Sequence, residues 1–337
     1  MRRRKFIALL AGATTAWPFG VRAQRREQPR RLGVLMSNAE SDPLGQARIA
    51  ALRAGLRELG WSEGGNLRID VRWAGSDASR LKDYAVELVR LAPDVVIANG
   101  TPGTAAMEQA TRSVPIVFAV VNDPVDQGLI TSLAHPGGNV TGLSFVDFSL
   151  FGKSLDLLRQ IAPKMTRVGL MFRPADHPYY DEYLRSFAAD KGILPTVVVR
   201  AAVASAAEIE NEVAKLAAPL AGGLIVAPDT FTVAYRQTIL ALVARHGVPA
   251  IHPYRQSVVE GGLMSYAPDT LDIFRRSATY VDRILKGEKP GDLPAQAPIK
   301  FEFVPFYELA GLLNRDVCGL LALQDFDHEE RTPAKCF

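Results

Sequence analysis

Short polar clusters end apolar runs at several points of this 337-residue chain: Ser37-Asn38, Asn99-Gly100-Thr101, Asn122-Asp123, Arg173, Asp229-Thr230 and Pro253-Tyr254. Two aromatic residues, Phe145 and Tyr266, sit in further extended segments. Hydroxyls, amides, two acids and an arginine can hold a small polar solute by hydrogen bonds and charge. Chemistry would need more. A nucleophile requires a base within reach, and a catalytic metal requires clustered His, Cys, Asp or Glu.

The sequence offers neither. Phe151-Gly152-Lys153-Ser154 contains the GKS of a phosphate loop, but Asp147 stands where that loop needs its first glycine. No GxGxxG dinucleotide fingerprint and no GxSxG nucleophile elbow occurs. The five histidines are scattered; the nearest pair, His246 and His252, straddles a Val-Pro strand start and reads as surface or satisfied structural histidines. Both cysteines, Cys318 and Cys336, lie near the C-terminus, where they fit no zinc or redox motif. An exported chain would permit a bridge between them, but the main fold does not depend on one. No metal, cofactor or enzymatic activity is expected.

The elements that position the polar clusters alternate strand and helix. Leu32–Met36, Val95–Ala98 and Ile116–Val120 are buried apolar runs, and Leu67–Trp73 alternates Arg68, Asp70 and Arg72 with Leu67, Ile69, Val71 and Trp73. Helical spacing covers Gly45–Leu59, Leu81–Leu91 and Thr104–Arg112. This order predicts parallel sheets covered on both faces. The pattern then restarts. Arg31-Leu-Gly-Val-Leu-Met36 matches Arg167-Val-Gly-Leu-Met-Phe172, Val95–Asn99 matches Leu224–Pro228, and Val114-Pro-Ile116 matches Val248-Pro-Ala250. Three strand cores recur in order at nearly constant offset, which predicts two similar lobes. Pro136–Phe145, Glu260–Tyr266 and Pro298–Val304 read as three hinge crossings, with helix Thr270–Leu285 between the last two.

Ligands bind open α/β sheets at the carboxyl ends of the strands. The polar clusters all lie there, so both lobes aim theirs at one interlobe cleft. Helix capping competes for individual members, since Asn38, Thr101, Asp123 and Thr230 are good N-cap types.

The N-terminus reads as an export signal over 1–23: a basic Arg2–Lys5, an apolar Phe6–Ala16, then Val21-Arg22-Ala23 before a cleavage site. Arg3-Arg4-Lys5-Phe6-Ile7 resembles the twin-arginine pattern. No Cys follows, so no lipid anchor is expected at this site. The whole chain has a formal charge of +3, but residues 24–337 carry 34 bases against 36 acids, net −2. Charge therefore gives no support to a nucleic-acid partner. No apolar run reaches the roughly 20 residues of a membrane span.

The run Gly100-Thr-Pro, Ala110-Thr-Arg-Ser-Val-Pro-Ile-Val-Phe118, Asn122-Asp-Pro-Val125, Gly128-Leu129 and Pro136-Gly-Gly-Asn-Val-Thr-Gly-Leu143 resembles the ABC transporter substrate-binding proteins of the tryptophan/tyrosine type. Arg167-Val-Gly-Leu, Pro228-Asp-Thr, Gly261-Gly-Leu-Met-Ser-Tyr and Ile299-Lys-Phe-Glu-Phe are also similar, so the likeness spans about residues 31–304. It implies a type I periplasmic-binding fold, α/β, with two Rossmann-like lobes of parallel sheet joined by three hinge crossings. The lobes are expected at 30–143 with 267–297, and at 144–266 with 298–320. After Val304 the chain departs from the family's pattern, and 321–337 is a divergent tail.

The resemblance implies an exported periplasmic monomer that closes on a small ligand, an amino acid or related carboxylate, and passes it to an ABC permease. Ser37, Thr101 and Asn122 are expected to take a carboxylate and Asp229 an ammonium. Phe145, Tyr254 and Tyr266 are expected to pack on the ligand's side chain, with Asn38, Asp123, Arg173 and Thr230 completing the cleft. Tyr179 and Tyr180 read as helix-start packing before they read as a lid. A sensor that presents a small molecule to a membrane receptor fits the same pattern; a repressor would carry a helix-turn-helix where this chain has its export signal.

Overall fold

The computed structural model describes residues 29–145, 149–175, 180–181, 184–185, 196–217 and 222–306. The export segment, Tyr179 and everything after residue 306, including Cys318, Cys336 and the tail, lie outside the described residues.

The first sheet contains β1 (Arg30–Met36), β2 (Leu67–Trp73), β3 (Val95–Asn99), β4 (Ile116–Val121) and β5 (Val140–Ser144) in the order β2-β1-β3-β4-β5, all parallel. Its helices are α1 (Pro43–Glu58), α2 (Ala78–Arg90) and α3 (Gly100–Ala110). Asp42 starts α1 by accepting from Leu44 N, and Pro43 occupies the first turn, where its missing N–H costs nothing. Gly60, at φ +88°, ends it. α3 begins four residues before the periodicity places it, because Gly100 at φ +75° turns the chain directly from β3 into the helix.

The second sheet contains β6 (Arg167–Phe172), β7 (Val197–Ala202), β8 (Gly222–Val226), β9 (Ala250–His252), β10 (Met264–Pro268) and β11 (Phe301–Pro305), ordered β11-β10-β9-β8-β6-β7. Around it lie α4 (Ser149–Ile161), α5 (Ala206–Leu216), α6 (Thr230–Ala234), α7 (Arg236–His246) and α8 (Arg255–Val259). The recurring segments of the sequence fall at equivalent places: β1 with β6, β3 with β8, β4 with β9. One strand breaks the parallel rule. β11 runs antiparallel to β10, because the chain leaves β10 for the other lobe and re-enters from the opposite direction.

The chain crosses between lobes after β5, between β10 and α9 (Thr270–Leu285), and again before β11. α9 returns to the first lobe and packs on α1 so closely that a Cβ at Gly55 would lie 2.5 Å from the Arg275 carbonyl oxygen. A continuous apolar cluster runs from Leu32, Leu52 and Phe274 through Phe145 and Tyr254 to Leu158, Phe172 and Ile251. Separate clusters cover the outer faces, Leu88, Val96 and Phe118 in one lobe and Ile209, Val213 and Leu224 in the other. Each sheet is thus buried on both faces, as parallel sheets require. Gly152-Lys153-Ser154 lies inside α4, with Ser154 Oγ donating to Leu150 O at 2.8 Å, so the segment is helix and not a phosphate loop.

Candidate solute-binding cleft

The carboxyl ends of β1, β3 and β4 meet those of β8 and β9 across the interlobe cleft, leaving between the lobes a narrow pocket with a cavity volume of about 30 Å³. Of the residues singled out from sequence, Ser37, Asn38, Thr101, Asn122, Asp229, Thr230 and Tyr254 line it. Arg48, Ser76, Val120 and Val233 line it too, and the sequence reading missed them.

Two backbone outliers shape the wall. Ser76 and Val120 adopt φ +64° and +62°. Val120 falls where the β4–β5 register shifts between Ala119 and Val121, a bulge that turns this residue toward the pocket. A β-branched residue at positive φ stores strain, and such strain gathers at functional sites.

The lobes touch through polar contacts at the rim. Asn122 Nδ2 donates to Pro228 O at 3.1 Å and lies 3.3 Å from Tyr180 OH. Ser76 Oγ donates to Thr230 O at 2.9 Å. A third link is ionic: Arg236 reaches Asp42 at 3.4 Å while holding Glu260 at 2.7 Å. Asp42 also accepts from Asn38 Nδ2 at 2.7 Å, and Asn38 Oδ1 accepts from Arg48 Nη1 at 3.3 Å. The interlobe ion pair is therefore one hydrogen bond from the pocket residue Asn38 and two from Arg48.

Capping explains less than sequence suggests. α1 is capped by Asp42 and α6 by Asp229, and Asn99 precedes α3 without a side-chain cap bond. Asp229 Oδ1 accepts from Thr232 N at 2.6 Å and Oδ2 from Arg173 N at 3.0 Å. Its carboxylate lines the pocket and caps α6 at once.

Four expected cleft residues stand elsewhere. Phe145 is fully buried behind Tyr254, ring centroids 5.6 Å apart, so it supports the pocket wall without reaching the pocket. Tyr266 stacks on Phe301 at 5.9 Å along the β10–β11 pair. Asp123 closes a turn by accepting from Asp126 N at 3.2 Å. Arg173 lies over the Phe231 ring at 5.4 Å and meets Asp229 through its backbone. Tyr180 packs edge-on to Phe151 and Phe172 at 5.4 and 5.2 Å, which is core packing, with its hydroxyl at Asn122.

Burial sets the electrostatics. It pushes the Arg48 guanidinium below its ordinary value, against the attraction of Tyr254 and Asp42, and pushes the Tyr254 phenol up. It also lowers His252 from 6.5 to about 4, with Arg236 adding repulsion. His252 Nε2 has no hydrogen-bond partner, so this is not the satisfied histidine expected from sequence. Between pH 6.5 and about 4 the unfolded chain protonates His252 while the folded chain does not. Stability should fall across that window by roughly 3 kcal/mol on acidification. Urea titrations at pH 7 and pH 4.5 should show His252→Gln losing less stability than the parent; equal losses would contradict this.

Among the described residues no cluster of three His, Cys, Asp or Glu side chains could hold a metal, and no helix is long and apolar enough to cross a membrane.

Residues 39–307 match the family described as ABC transporter substrate binding protein. The chain belongs to that family. Its members are solute-binding proteins and not enzymes. A tyrosine-binding protein of Clostridioides difficile (strain R20291) is 26% identical over 287 residues, 85% of this chain and 79% of that one. A conserved domain protein of Vibrio cholerae has a solved structure with a TM-score of 0.78, 26% identity and coverage of 87% of this chain and 98% of that chain. An ABC domain from Streptococcus pneumonia, solved in complex with L-Trp, gives a TM-score of 0.77 at 23% identity with the same coverage. As a substrate-binding protein of this family, the chain carries the type I periplasmic-binding architecture of two parallel-sheet lobes.

Proposed function

We propose that this substrate-binding protein is the extracytoplasmic component of an ABC importer, closing its two lobes on one small ligand and delivering it to a membrane permease. The observation that carries this reading is the pocket between the lobes, bridged by Asn122 to Pro228 and by Ser76 to Thr230. Hinge closure around a ligand needs contacts that join the two lobes, and these bonds run from one lobe to the other. The ligand class is amino acid or related carboxylate, supported by the tyrosine-binding relative and the L-Trp complex. Ser37, Asn38, Thr101, Asn122, Asp229, Thr230 and Tyr254 contact it. The 1–23 segment directs export, by the twin-arginine route, and the protein acts as a monomer with the lobe boundaries given above.

A thermal-shift screen tests the reading with L-amino acids, aromatic acids, short carboxylates, polyols and nucleosides. A ligand at one hundred times its dissociation constant adds about 2.7 kcal/mol, enough for several degrees. A shift confined to amino acids or carboxylates is expected. A shift confined to polyols or nucleosides would reject the ligand class, and no shift from any solute would reject the reading.

A further inference from the structure

We infer that Arg48 receives an anionic group of the ligand, so that the cleft selects a carboxylate or equivalent anion over a neutral solute. This rests on the solute-binding reading above.

Arg48 is 3% exposed and lines the pocket. Of its hydrogen-bonding nitrogens only Nη1 has a partner, the neutral amide of Asn38 at 3.3 Å; Nε and Nη2 have none. The guanidinium lies over the rings of Tyr254 and Phe274, at 5.2 and 5.8 Å, and the Tyr254 hydroxyl adds its own attraction, but neither residue carries a counter-charge. A buried cation is costly unless a counter-charge and hydrogen bonds compensate it.

Asp42 attracts it without a hydrogen bond, and both nearby carboxylates are engaged elsewhere. Asp42 already accepts from Asn38 and Leu44 and pairs with Arg236, and Arg236 itself repels Arg48. Asp229 is held by the backbone N–H groups of Thr232 and Arg173. An anion entering the pocket would complete the guanidinium's hydrogen bonds and neutralise it. Two further features suit an amino acid. The N-terminus of α3 opens on the pocket at Gly100 and Thr101 without a side-chain cap, and Ser37 beside Asn38 ties that turn down by donating to Asn99 O at 2.7 Å. An uncapped helix start on the same pocket as a guanidinium with two unpartnered nitrogens is a favourable place for a carboxylate. Asn122 Oδ1 is buried and unpartnered, and the Pro228 carbonyl fixes its amide with nitrogen toward lobe two. That oxygen is left to accept from a ligand N–H donor.

Calorimetry on the full protein with matched probes tests the inference: L-tyrosine and L-tryptophan with their primary amides, the other L-amino acids with theirs, simple carboxylates with the corresponding alcohols, and a polyol series. The acid should bind roughly 100-fold more tightly than its amide in the parent protein, as expected when one partner of a buried charge pair is lost. Arg48→Met should reduce that ratio to about threefold or less, and Arg48→Lys should keep part of it. The comparison of acid with amide needs no variant, so it stands even if Arg48→Met fails to fold. Acid and amide binding within threefold of each other overturns the inference, as does a folded Arg48→Met with unchanged acid affinity. Tight binding of a polyol with no binding of any carboxylate overturns it while leaving solute binding intact. Absence of binding by every probe overturns the solute-binding reading and the inference with it.

Discussion

Gly142→Ala is expected to prevent the first lobe from folding. Gly142 lies in β5 opposite Phe118 of β4 at φ +150°. A Cβ there would stand 2.1 Å from the Phe118 carbonyl oxygen and 2.6 Å from its nitrogen. Both are backbone atoms of a central strand, so no rotamer relieves the overlap. The strand would have to separate from β4, exposing apolar faces packed on both sides. Gly142 O also accepts from Gln296 N at 3.0 Å, so the same change disturbs the last crossing between lobes. A cost above about 4 kcal/mol is expected, placing it among the rare severe substitutions. Gly152→Ala is the control: its Cβ would meet nothing within 4 Å, inside helix α4. It should be neutral or stabilise by up to about 1 kcal/mol. Circular dichroism and melting curves decide the matter, and a Gly142→Ala protein melting within two degrees of the parent would refute the argument.

Asp229→Ala is expected to cost about 2–4 kcal/mol and to remove ligand binding. The energy has two sources. The N-cap bond from Thr232 N is lost, worth about 1 kcal/mol, and the part-buried Arg173 N–H loses its acceptor, at about 1–3 kcal/mol. At roughly 2–4 °C per kcal/mol for a chain of this size, the melting temperature should drop by about 10 °C. Asp229→Asn separates structure from binding. Its amide oxygen can keep the bond from Thr232 N, but its NH₂ then faces the Arg173 N–H, so a smaller loss of about 2 kcal/mol is expected. A ligand ammonium would lose its counter-charge in either variant. Retained stability in Asp229→Ala, measured by urea denaturation, would show that the carboxylate is not the cap.

The strand framework was legible because buried parallel strands are continuous apolar runs, and repetition of Arg31–Met36 at Arg167–Phe172 put two sheets in the same order. Position in the cleft was legible where a polar residue follows a strand at once, as at Ser37 and Asn122, or three residues on, as at Asp229. It was not legible where side-chain direction decides. Phe145 follows β5 but turns into the core under Tyr254, and Tyr266 turns toward Phe301. Arg48 shows the complementary gap. It lies at helical spacing with Gly45, Leu52 and Gly55, all buried in α1. The apolar stripe drew attention to Ile49, Leu52 and Leu56, while the charged residue beside them carried the information about the pocket. A charge on the buried face of a helix that approaches a strand-end cleft was the available signal. Ser76 and Val120 had no such signal, since their positive φ arises from the β4 bulge and the turn after β2 and not from residue type.

Small-angle scattering of the folded protein during titration with L-tyrosine, L-tryptophan, the other L-amino acids and simple carboxylates tests the central claim most directly. The account predicts that one of these solutes lowers the radius of gyration saturably, at one ligand per chain, as the lobes close. A folded protein whose scattering none of these solutes changes would contradict it.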